Sequence, residues 1–315
     1  VFGENGMIVS TSKQASEAGI EILKKGGNAV DAAVAVGFAL AVTSSSNGNI
    51  GGGGFMVAAM TDGETFTLDY REKAPAAAHR DLFLNDSGNV VPGMSLFSRA
   101  GSGVPGTVDG LIRALADHGS GNITLRQALA PAIRLAEKGF ELSHYEARRF
   151  NGYEGLFQSN DAAAAIFIRK NNNPWKKGDK LVQRDLAKTL KRISKYGRDG
   201  FYTGPVADLI VAEMKRGNGL ISLEDLKNYL SVYRDPVSGT YNGHEVISMG
   251  PPSSGGALLV NMMNMLENYP VDSLGWNSSD YIHLLTEVER RAYADRAEHM
   301  GDSDFWDVPL DLLTS

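Results

Sequence analysis

The stretch GGGGFMVAAMTDGETFTLDYREKAP, residues 51–75, joins four successive glycines to two apolar segments that are separated by Asp62-Gly63. Phe55 to Met60 and Thr65 to Arg71 are predicted to form a β-hairpin, because an Asp-Gly pair between such segments favours a tight turn. In the second segment apolar and polar residues alternate, so Arg71 is predicted to leave the strand on its polar face. The hairpin therefore places a guanidinium close to a glycine-rich turn.

Two helices are predicted ahead of the glycines. Ser12 can cap the first helix and Gly26-Gly27 ends it, while Asn28 caps a second helix with Asp31 at its third position. The second helix, which runs to Thr43, is almost wholly Ala and Val. Because it has no polar stripe, we expect it to be enclosed on most sides within a layered domain.

Helical periodicity dominates beyond residue 100. The predicted helices are Gly106 to Asp117, Leu125 to Lys138, Arg184 to Tyr196, Val206 to Arg216, Leu223 to Tyr229, Ala257 to Glu267 and Ser279 to Met300, with one strand at Tyr241 to Met249. The sequence contains no internal repeat. We interpret residues 1–315 as one domain or as part of one.

The composition of the chain argues against several classes of function. A net charge of -6 without a long cationic run argues against a nucleic-acid partner. The absence of cysteine excludes disulfides, thiol nucleophiles and Cys-ligated metals. The longest apolar run, Ala32 to Val42, is about half the ~20 residues that a transmembrane helix needs. The start at Val1 without an initiator Met is compatible with removal of a leader or tag, and this permits export.

Three features are candidate ligand sites, and each has a simpler structural interpretation. The tetraglycine lacks the Lys-Ser/Thr pair of a phosphate loop and precedes a strand, so close approach of two backbones is favoured. Arg71 offers a planar fork for a carboxylate, or else forms a surface ion pair with Glu72 or Asp69. The segment Ser253-Ser254-Gly255-Gly256 opens a helix, where it either holds an anion or supplies a serine cap.

Hydrolase motifs of the common kinds are missing from the sequence. There is no Gly-x-Ser-x-Gly elbow, and none of the six His residues has the spacing of a zinc site. His283 with Glu287, and Asp295 with His299, are four apart on one predicted helix and are interpreted as solvated or capping pairs. We therefore predict neither a metal site nor a cofactor.

Six motifs, found in the same order from one end of the chain to the other, resemble the large subunit of the γ-glutamyltranspeptidase family, a branch of the N-terminal-nucleophile hydrolases. They are Ser16-Glu17-Ala18-Gly19 through Lys25-Gly26-Gly27-Asn28-Ala29-Val30-Asp31-Ala32-Ala33, Gly51-Gly52-Gly53-Gly54-Phe55, Asp69-Tyr70-Arg71-Glu72-Lys73-Ala74-Pro75, Val104-Pro105-Gly106-Thr107-Val108, Pro251-Pro252-Ser253-Ser254-Gly255-Gly256 and Ala292-Tyr293-Ala294-Asp295-Arg296.

The resemblance implies the α+β fold of that family, a four-layer αββα sandwich to which both subunits contribute strands. Residues 1–315 would be the large-subunit part of a single N-terminal-nucleophile hydrolase domain, completed by a small-subunit chain. The family's large subunit continues for some tens of residues beyond the position that Ser315 matches, so the C-terminal end of the subunit is expected to be missing.

The resemblance also implies a function. Family members cleave themselves into two subunits, and the new N-terminal Thr of the small subunit is the nucleophile, so no catalytic residue is expected in this chain. Arg71 matches the family's arginine that grips the α-carboxylate of the γ-glutamyl group. The expected reaction transfers this group from a donor such as glutathione to amino acids, peptides or water. The small subunit would come from the same precursor, and a periplasmic or extracellular location is implied, with no cofactor, nucleic-acid or membrane partner.

Two departures from the family pattern leave alternatives open. The segment Thr43 to Asn49 lacks the proline that many relatives have before the glycines, and Gly250 stands where a third proline is common. A poly-γ-glutamate hydrolase or a cephalosporin acylase is the alternative among enzymes. A non-catalytic, secreted binding homologue is the alternative of another class.

Overall fold

The computed structural model describes residues 3–169 and 173–315. Its α-helices are α1 (Lys13–Lys24), α2 (Ala29–Thr43), α3 (Met94–Phe97), α4 (Thr107–His118), α5 (Leu125–Lys138), α6 (His144–Gly152), α7 (Glu154–Gln158), α8 (Asp161–Phe167), α9 (Arg184–Tyr196), α10 (Asp199–Tyr202), α11 (Gly204–Arg216), α12 (Leu223–Asn228), α13 (Gly255–Leu266), α14 (Ser279–His299) and α15 (Leu310–Leu313). Its strands are β1 (Phe55–Ala59), β2 (Thr65–Asp69), β3 (Phe140–Glu141), β4 (Lys180–Leu181), β5 (Val232–Arg234), β6 (Val237–Tyr241) and β7 (His244–Ser248).

The chain divides into two compact units. Unit 1 comprises Val1–Gly54 and Tyr70–Ser231, and unit 2 comprises Phe55–Asp69 and Val232–Ser315. Our interpretation of residues 1–315 as part of a single domain stays a prediction, because such a division does not decide whether the units fold independently.

Unit 1 is built around helix α2, which packs against α1, α4 and α5. A capping box starts the helix: Asp31 N donates to Asn28 Oδ1 at 2.9 Å, and Asn28 N donates to Asp31 Oδ2 at 2.8 Å. Val34 and Phe38 are fully buried, as expected for a helix without a polar stripe. The predicted caps and the enclosure of α2 are thus confirmed, including the Ser12 cap of α1.

Helices α5 and α9 pack against each other and have the predicted bounds. A second capping box, Thr124 with Gln127, starts α5. Gly139 and Gly197 follow the two helices with positive φ values of 78° and 60°, a conformation that glycine adopts without strain. These local signals explain why the sequence predicts both helices well.

In unit 2 the predicted hairpin is confirmed, with β1 and β2 antiparallel and Phe55 opposite Asp69. Strand β2 also pairs with β5, so it is the central strand of the sheet β1-β2-β5. Its polar face is buried rather than exposed: Thr67 is fully buried, and its Oγ1 donates to Arg234 O at 2.6 Å. The alternation predicts the strand but not its pairing with β5.

A second hairpin in unit 2 corrects the prediction of one strand from Tyr241 to Met249. Strands β6 and β7 pair on either side of Asn242 and Gly243, which both have positive φ, at 49° and 76°. This is the Asn-Gly turn that joins antiparallel strands with the right twist. Helix α13 packs on both strands and also contacts α14 and α15.

Candidate functional site

Arg71 lies in the segment Tyr70–Lys73, here called the Arg71 turn, and the residue is exposed. The backbone is held at both ends of the turn. Tyr70 N donates to Gly54 O at 3.0 Å, and Gly54 N donates to Tyr70 O at 3.2 Å. Lys73 and Val104 exchange a second pair of hydrogen bonds, at 3.2 and 2.7 Å. Between these two pairs of hydrogen bonds, Arg71 and Glu72 lie exposed on unit 1.

The tetraglycine supports the Arg71 turn from one side. A Cβ added to Gly53 would lie 2.5 Å from Tyr70 O, 2.7 Å from Glu72 N and 2.8 Å from Arg71 C. Real Cβ atoms do not come this close to backbone atoms, so any side chain here would displace the turn. The interpretation of the glycines as a place where two backbones approach is confirmed, and the predicted neighbourhood of Arg71 and the glycines is observed.

Gly106 supports the turn from another side. A Cβ at Gly106 would collide with Tyr70 O and with the Tyr229 hydroxyl. Its backbone is fixed by Gly52 O, which accepts hydrogen bonds from Gly106 N at 2.8 Å and from Thr107 N at 3.0 Å. Three of the six sequence motifs, those containing the glycines, Arg71 and Gly106, are therefore brought together in unit 1.

Tyr229 contacts the Arg71 turn directly. Its hydroxyl donates to Arg71 O at 2.8 Å. Its ring is stacked on that of Tyr202, with centroids 5.8 Å apart and an interplanar angle of 5°. The Tyr202 hydroxyl donates to Pro105 O at 2.8 Å. Burial raises the pKa of Tyr202, and it raises that of Tyr70 to about 12.

A buried ion pair fixes the backbone around Tyr229. Arg198 Nε donates to Asp109 Oδ1 at 2.8 Å, and Ser231 N donates to Asp109 Oδ2 at 2.8 Å. Arg198 Nη2 also donates to Tyr229 O and, at 2.9 Å, to Lys227 O. Asp109 is 5% exposed. A charge pair of this kind is well compensated, because both partners have further hydrogen bonds.

Sequence reasoning missed Tyr229, Asp109 and Arg198. Tyr229 was predicted only as the end of a helix, and it reaches Arg71 across 158 residues of sequence. Asp109 directly follows the motif Val104–Val108, and that position was the one available signal. Contacts between residues so distant in sequence leave no local pattern.

The serine-rich motif lies in unit 2, at the start of α13. Ser254 is the cap residue but makes no side-chain cap bond; instead, Ser253 Oγ accepts a hydrogen bond from Gly255 N at 3.2 Å. Arg296 Nε donates to Ser254 Oγ at 3.2 Å, so the last two sequence motifs are also neighbours. The simpler interpretation is therefore right in placing a serine at the cap position, but the cap bond that it implies for Ser254 is absent.

In unit 2, Asp69 Oδ2 accepts a hydrogen bond from Arg234 Nε at 2.8 Å. The alternative for Arg71, a surface ion pair with Asp69 or Glu72, stays a prediction.

In residues 3–169 and 173–315, no three His, Asp or Glu side chains are grouped as metal ligands would be. Over the same ranges, no helix combines the length and the apolar composition needed to cross a bilayer.

Comparison with known proteins decides the family. A family model described as Gamma-glutamyltranspeptidase matches residues 15–315. The chain belongs to the γ-glutamyltranspeptidase family. Among γ-glutamyltranspeptidase relatives, the glutathione hydrolase proenzyme of Escherichia coli (strain K12) is 45% identical over 315 residues, which are 100% of this chain and 54% of the relative. The chain thus spans about half the length of the curated relatives that it matches.

Solved structures of the γ-glutamyltranspeptidase family share the fold. The γ-glutamyltranspeptidase of Helicobacter pylori superposes with a TM-score of 0.97 at 44% identity, covering 100% of this chain and 90% of that one. The Pseudomonas nitroreducens enzyme complexed with L-DON gives a TM-score of 0.93 at 40% identity, covering 100% and 92%. The predicted α+β class and the N-terminal-nucleophile hydrolase fold are confirmed.

The family also has relatives with a different name. The acylase ACY 1 proenzyme of Pseudomonas sp. (strain SE83) is 36% identical over 323 residues, with coverage of 99% of this chain and 56% of the relative. The chain therefore matches the region that γ-glutamyltranspeptidases and this acylase have in common.

Proposed function

We propose that this chain is the large-subunit part of a γ-glutamyltranspeptidase-like enzyme. The enzyme would transfer γ-glutamyl groups from glutathione or another γ-glutamyl compound to amino acids, peptides or water. Family membership supports this proposal, as do the names of relatives such as the E. coli glutathione hydrolase proenzyme. The partner would be a small subunit cut from the same precursor.

The observation that carries the proposal is the way Arg71 is held. Its backbone is supported by Gly53 and bonded by Tyr229, while the residue itself is exposed. A guanidinium presents paired N–H donors that match the two oxygens of a carboxylate, and such charged hydrogen bonds are strong and directional. Arg71 would thus bind the α-carboxylate of the donor and orient its γ-carbonyl.

The chemistry itself would take place on the partner subunit. An N-terminal Thr supplies its hydroxyl as nucleophile and its own amine as base. Attack on the γ-carbonyl forms an ester with Thr and releases the amine of the donor. An acceptor amine or water then takes the γ-glutamyl group from the ester and regenerates the hydroxyl. Arg71 would contribute binding and orientation in both steps, without moving a proton.

The test compares two donors on the full, processed enzyme. γ-Glutamyl-p-nitroanilide has the α-carboxylate, and 4-aminobutanoyl-p-nitroanilide lacks it. Because a charge-assisted hydrogen bond contributes roughly 1.5–3 kcal/mol, Arg71→Ala should lower kcat/KM for the first donor on the order of 10- to 100-fold. Arg71→Lys keeps the charge without the fork and should lie between the Ala variant and the wild type.

The second donor provides the control. Its kcat/KM should change little in either variant, and self-cleavage of the precursor should proceed, since neither involves the α-carboxylate. Equal slowing of both donors, or of neither, would show that Arg71 is not the carboxylate clamp.

An acylase is the second candidate, because the chain is 36% identical to the acylase ACY 1 proenzyme. An acyl donor without an α-carboxylate would gain nothing from Arg71. Preference of the wild-type enzyme for such donors, with no effect of Arg71→Ala, would favour the acylase. A non-catalytic binding homologue would turn over neither class of donor.

The location we propose is periplasmic or extracellular. Cell fractionation with an antibody to this chain tests it, and recovery of the processed protein only from the cytosol would overturn it.

A further inference from the structure

Tyr229 is hydrogen-bonded to the main chain of Arg71. Its hydroxyl donates to the carbonyl oxygen of Arg71 itself at 2.8 Å, which fixes the plane of the peptide between Arg71 and Glu72. Gly53 lies beside the same peptide, because a Cβ added to it would come within 2.8 Å of Arg71 C and 2.7 Å of Glu72 N. The peptide group between Arg71 and Glu72 is thus held by a glycine and by a tyrosine hydroxyl.

The Tyr229 ring is itself immobilised by its surroundings. It is stacked on Tyr202, and the Lys73 ammonium lies 5.5 Å from its centroid while donating to Leu230 O at 3.0 Å. Arg198 holds the Tyr229 carbonyl. Tyr229 is only 2% exposed. So many contacts on one tyrosine allow its hydroxyl little freedom to follow a displaced Arg71 turn.

We propose that Tyr229 is a positioning residue for Arg71: its hydroxyl sets the main-chain orientation from which the guanidinium reaches the donor carboxylate. The inference rests on the proposed function, since it gives Arg71 the role of carboxylate clamp. Two parallel hydrogen bonds to a carboxylate require an accurately placed guanidinium. A displacement of about 1 Å can cost a large part of the benefit of such an interaction.

The test is Tyr229→Phe in the full, processed enzyme. Phenylalanine keeps the ring and its stacking but removes the bond to Arg71 O. A neutral hydrogen bond contributes about 0.5–1.5 kcal/mol, so KM for γ-glutamyl-p-nitroanilide should rise about 2- to 10-fold. The value of kcat should change less, and 4-aminobutanoyl-p-nitroanilide should be unaffected.

Trp175→Phe is the matched control. Trp175 Nε1 donates to Phe167 O at 2.6 Å, so this variant also loses an aromatic donor to a backbone carbonyl of unit 1. It has no contact with the Arg71 turn among its described hydrogen bonds and ring contacts. Trp175→Phe should leave the ratio between the two donors unchanged, whatever it does to thermal stability.

A double-variant cycle separates this proposal from the proposed function. If Tyr229 acts through Arg71, adding Tyr229→Phe to Arg71→Ala should cause no further loss with the γ-glutamyl donor. A donor-dependent effect of Arg71→Ala without one for Tyr229→Phe would overturn the positioning role alone. Independent, multiplicative effects of the two substitutions would also overturn it. Absence of a donor-dependent effect for Arg71→Ala would overturn both proposals.

Discussion

Arg71 and Arg234 are held in opposite ways. Arg234, at the end of β5, has a side chain that is 13% exposed; it donates to Asp304 at 2.9 and 3.0 Å and to Asp69 at 2.8 Å. Hydrogen bonds to Asp304 and Asp69 raise the pKa of Arg234 above its usual value, although partial burial opposes the shift. Arg71 is exposed, and Tyr229 and Gly53 hold its main chain.

The contrast separates an arginine that stabilises the protein from one that can bind a ligand. The Arg234 guanidinium is already surrounded by carboxylates of unit 2, so its donors are directed at the protein. In the Arg71 turn, glycines and a tyrosine hydroxyl hold the main chain from which the guanidinium extends. The two residues should therefore respond differently to the same substitution.

The largest effect is expected for Arg234→Ala. Asp69 has a side chain that is 7% exposed, and it would lose a guanidinium that compensates its charge. Breaking a buried ion pair by removing one partner costs about 3–5 kcal/mol. Urea unfolding of the processed enzyme should therefore show a loss of this order in the free energy of unfolding.

Arg71→Ala is the matched control for that measurement. Because Arg71 is an exposed residue, its substitution should change the free energy of unfolding by only about 0.5 kcal/mol. Similar losses for the two variants would remove the distinction between a structural and a ligand-binding arginine.

A smaller loss of stability is expected for Gly53→Ala, which changes the glycine that packs against the Arg71 turn. The added Cβ would meet Tyr70 O and Glu72 N, so the turn must shift. Overpacking of this kind costs roughly 1–3 kcal/mol. Differential scanning calorimetry should show a lower Tm, and activity with γ-glutamyl-p-nitroanilide should fall as well.

Gly155→Ala is the control for Gly53→Ala. Gly155 lies in α7, and its added Cβ meets nothing within 4 Å. Since glycine inside a helix is less favourable than alanine by roughly 0.5–1 kcal/mol, this variant should be as stable as the wild type or more so. Full activity and an unchanged Tm for Gly53→Ala would contradict the supporting role of the glycines.

Local signals predicted a large part of the fold. The capping boxes, the amphipathic periods of α5 and α9, and the Asp-Gly turn of the β1–β2 hairpin all act over a few residues, so the sequence displays them directly. The Asn242-Gly243 turn is equally local, but the prediction of one strand from Tyr241 to Met249 places it inside that strand. The hydrogen-bond partner of buried Thr67, Arg234 of β5, is 167 residues away along the chain, so no local pattern reveals it.

In the candidate site, too, only the features that lie close together in sequence could be predicted. Arg71 and its neighbouring glycines belong to one stretch of sequence, and both the hairpin and the family resemblance pointed to them. Tyr229 lies at the end of a short helix with no motif around it. Only the folded chain brings its hydroxyl to Arg71 O, so no periodicity or spacing could have identified it.

Arg71 is proposed to bind the α-carboxylate of the donor. Equilibrium binding tests this role without any turnover of substrate. Isothermal titration calorimetry of the processed enzyme would compare glutamate with 4-aminobutanoate, which is glutamate without its α-carboxylate. We expect the wild type to bind glutamate more tightly on the order of 10- to 100-fold, and Arg71→Ala to bind the two ligands with nearly equal affinity. If Arg71→Ala keeps the wild-type preference for glutamate, the claim is contradicted.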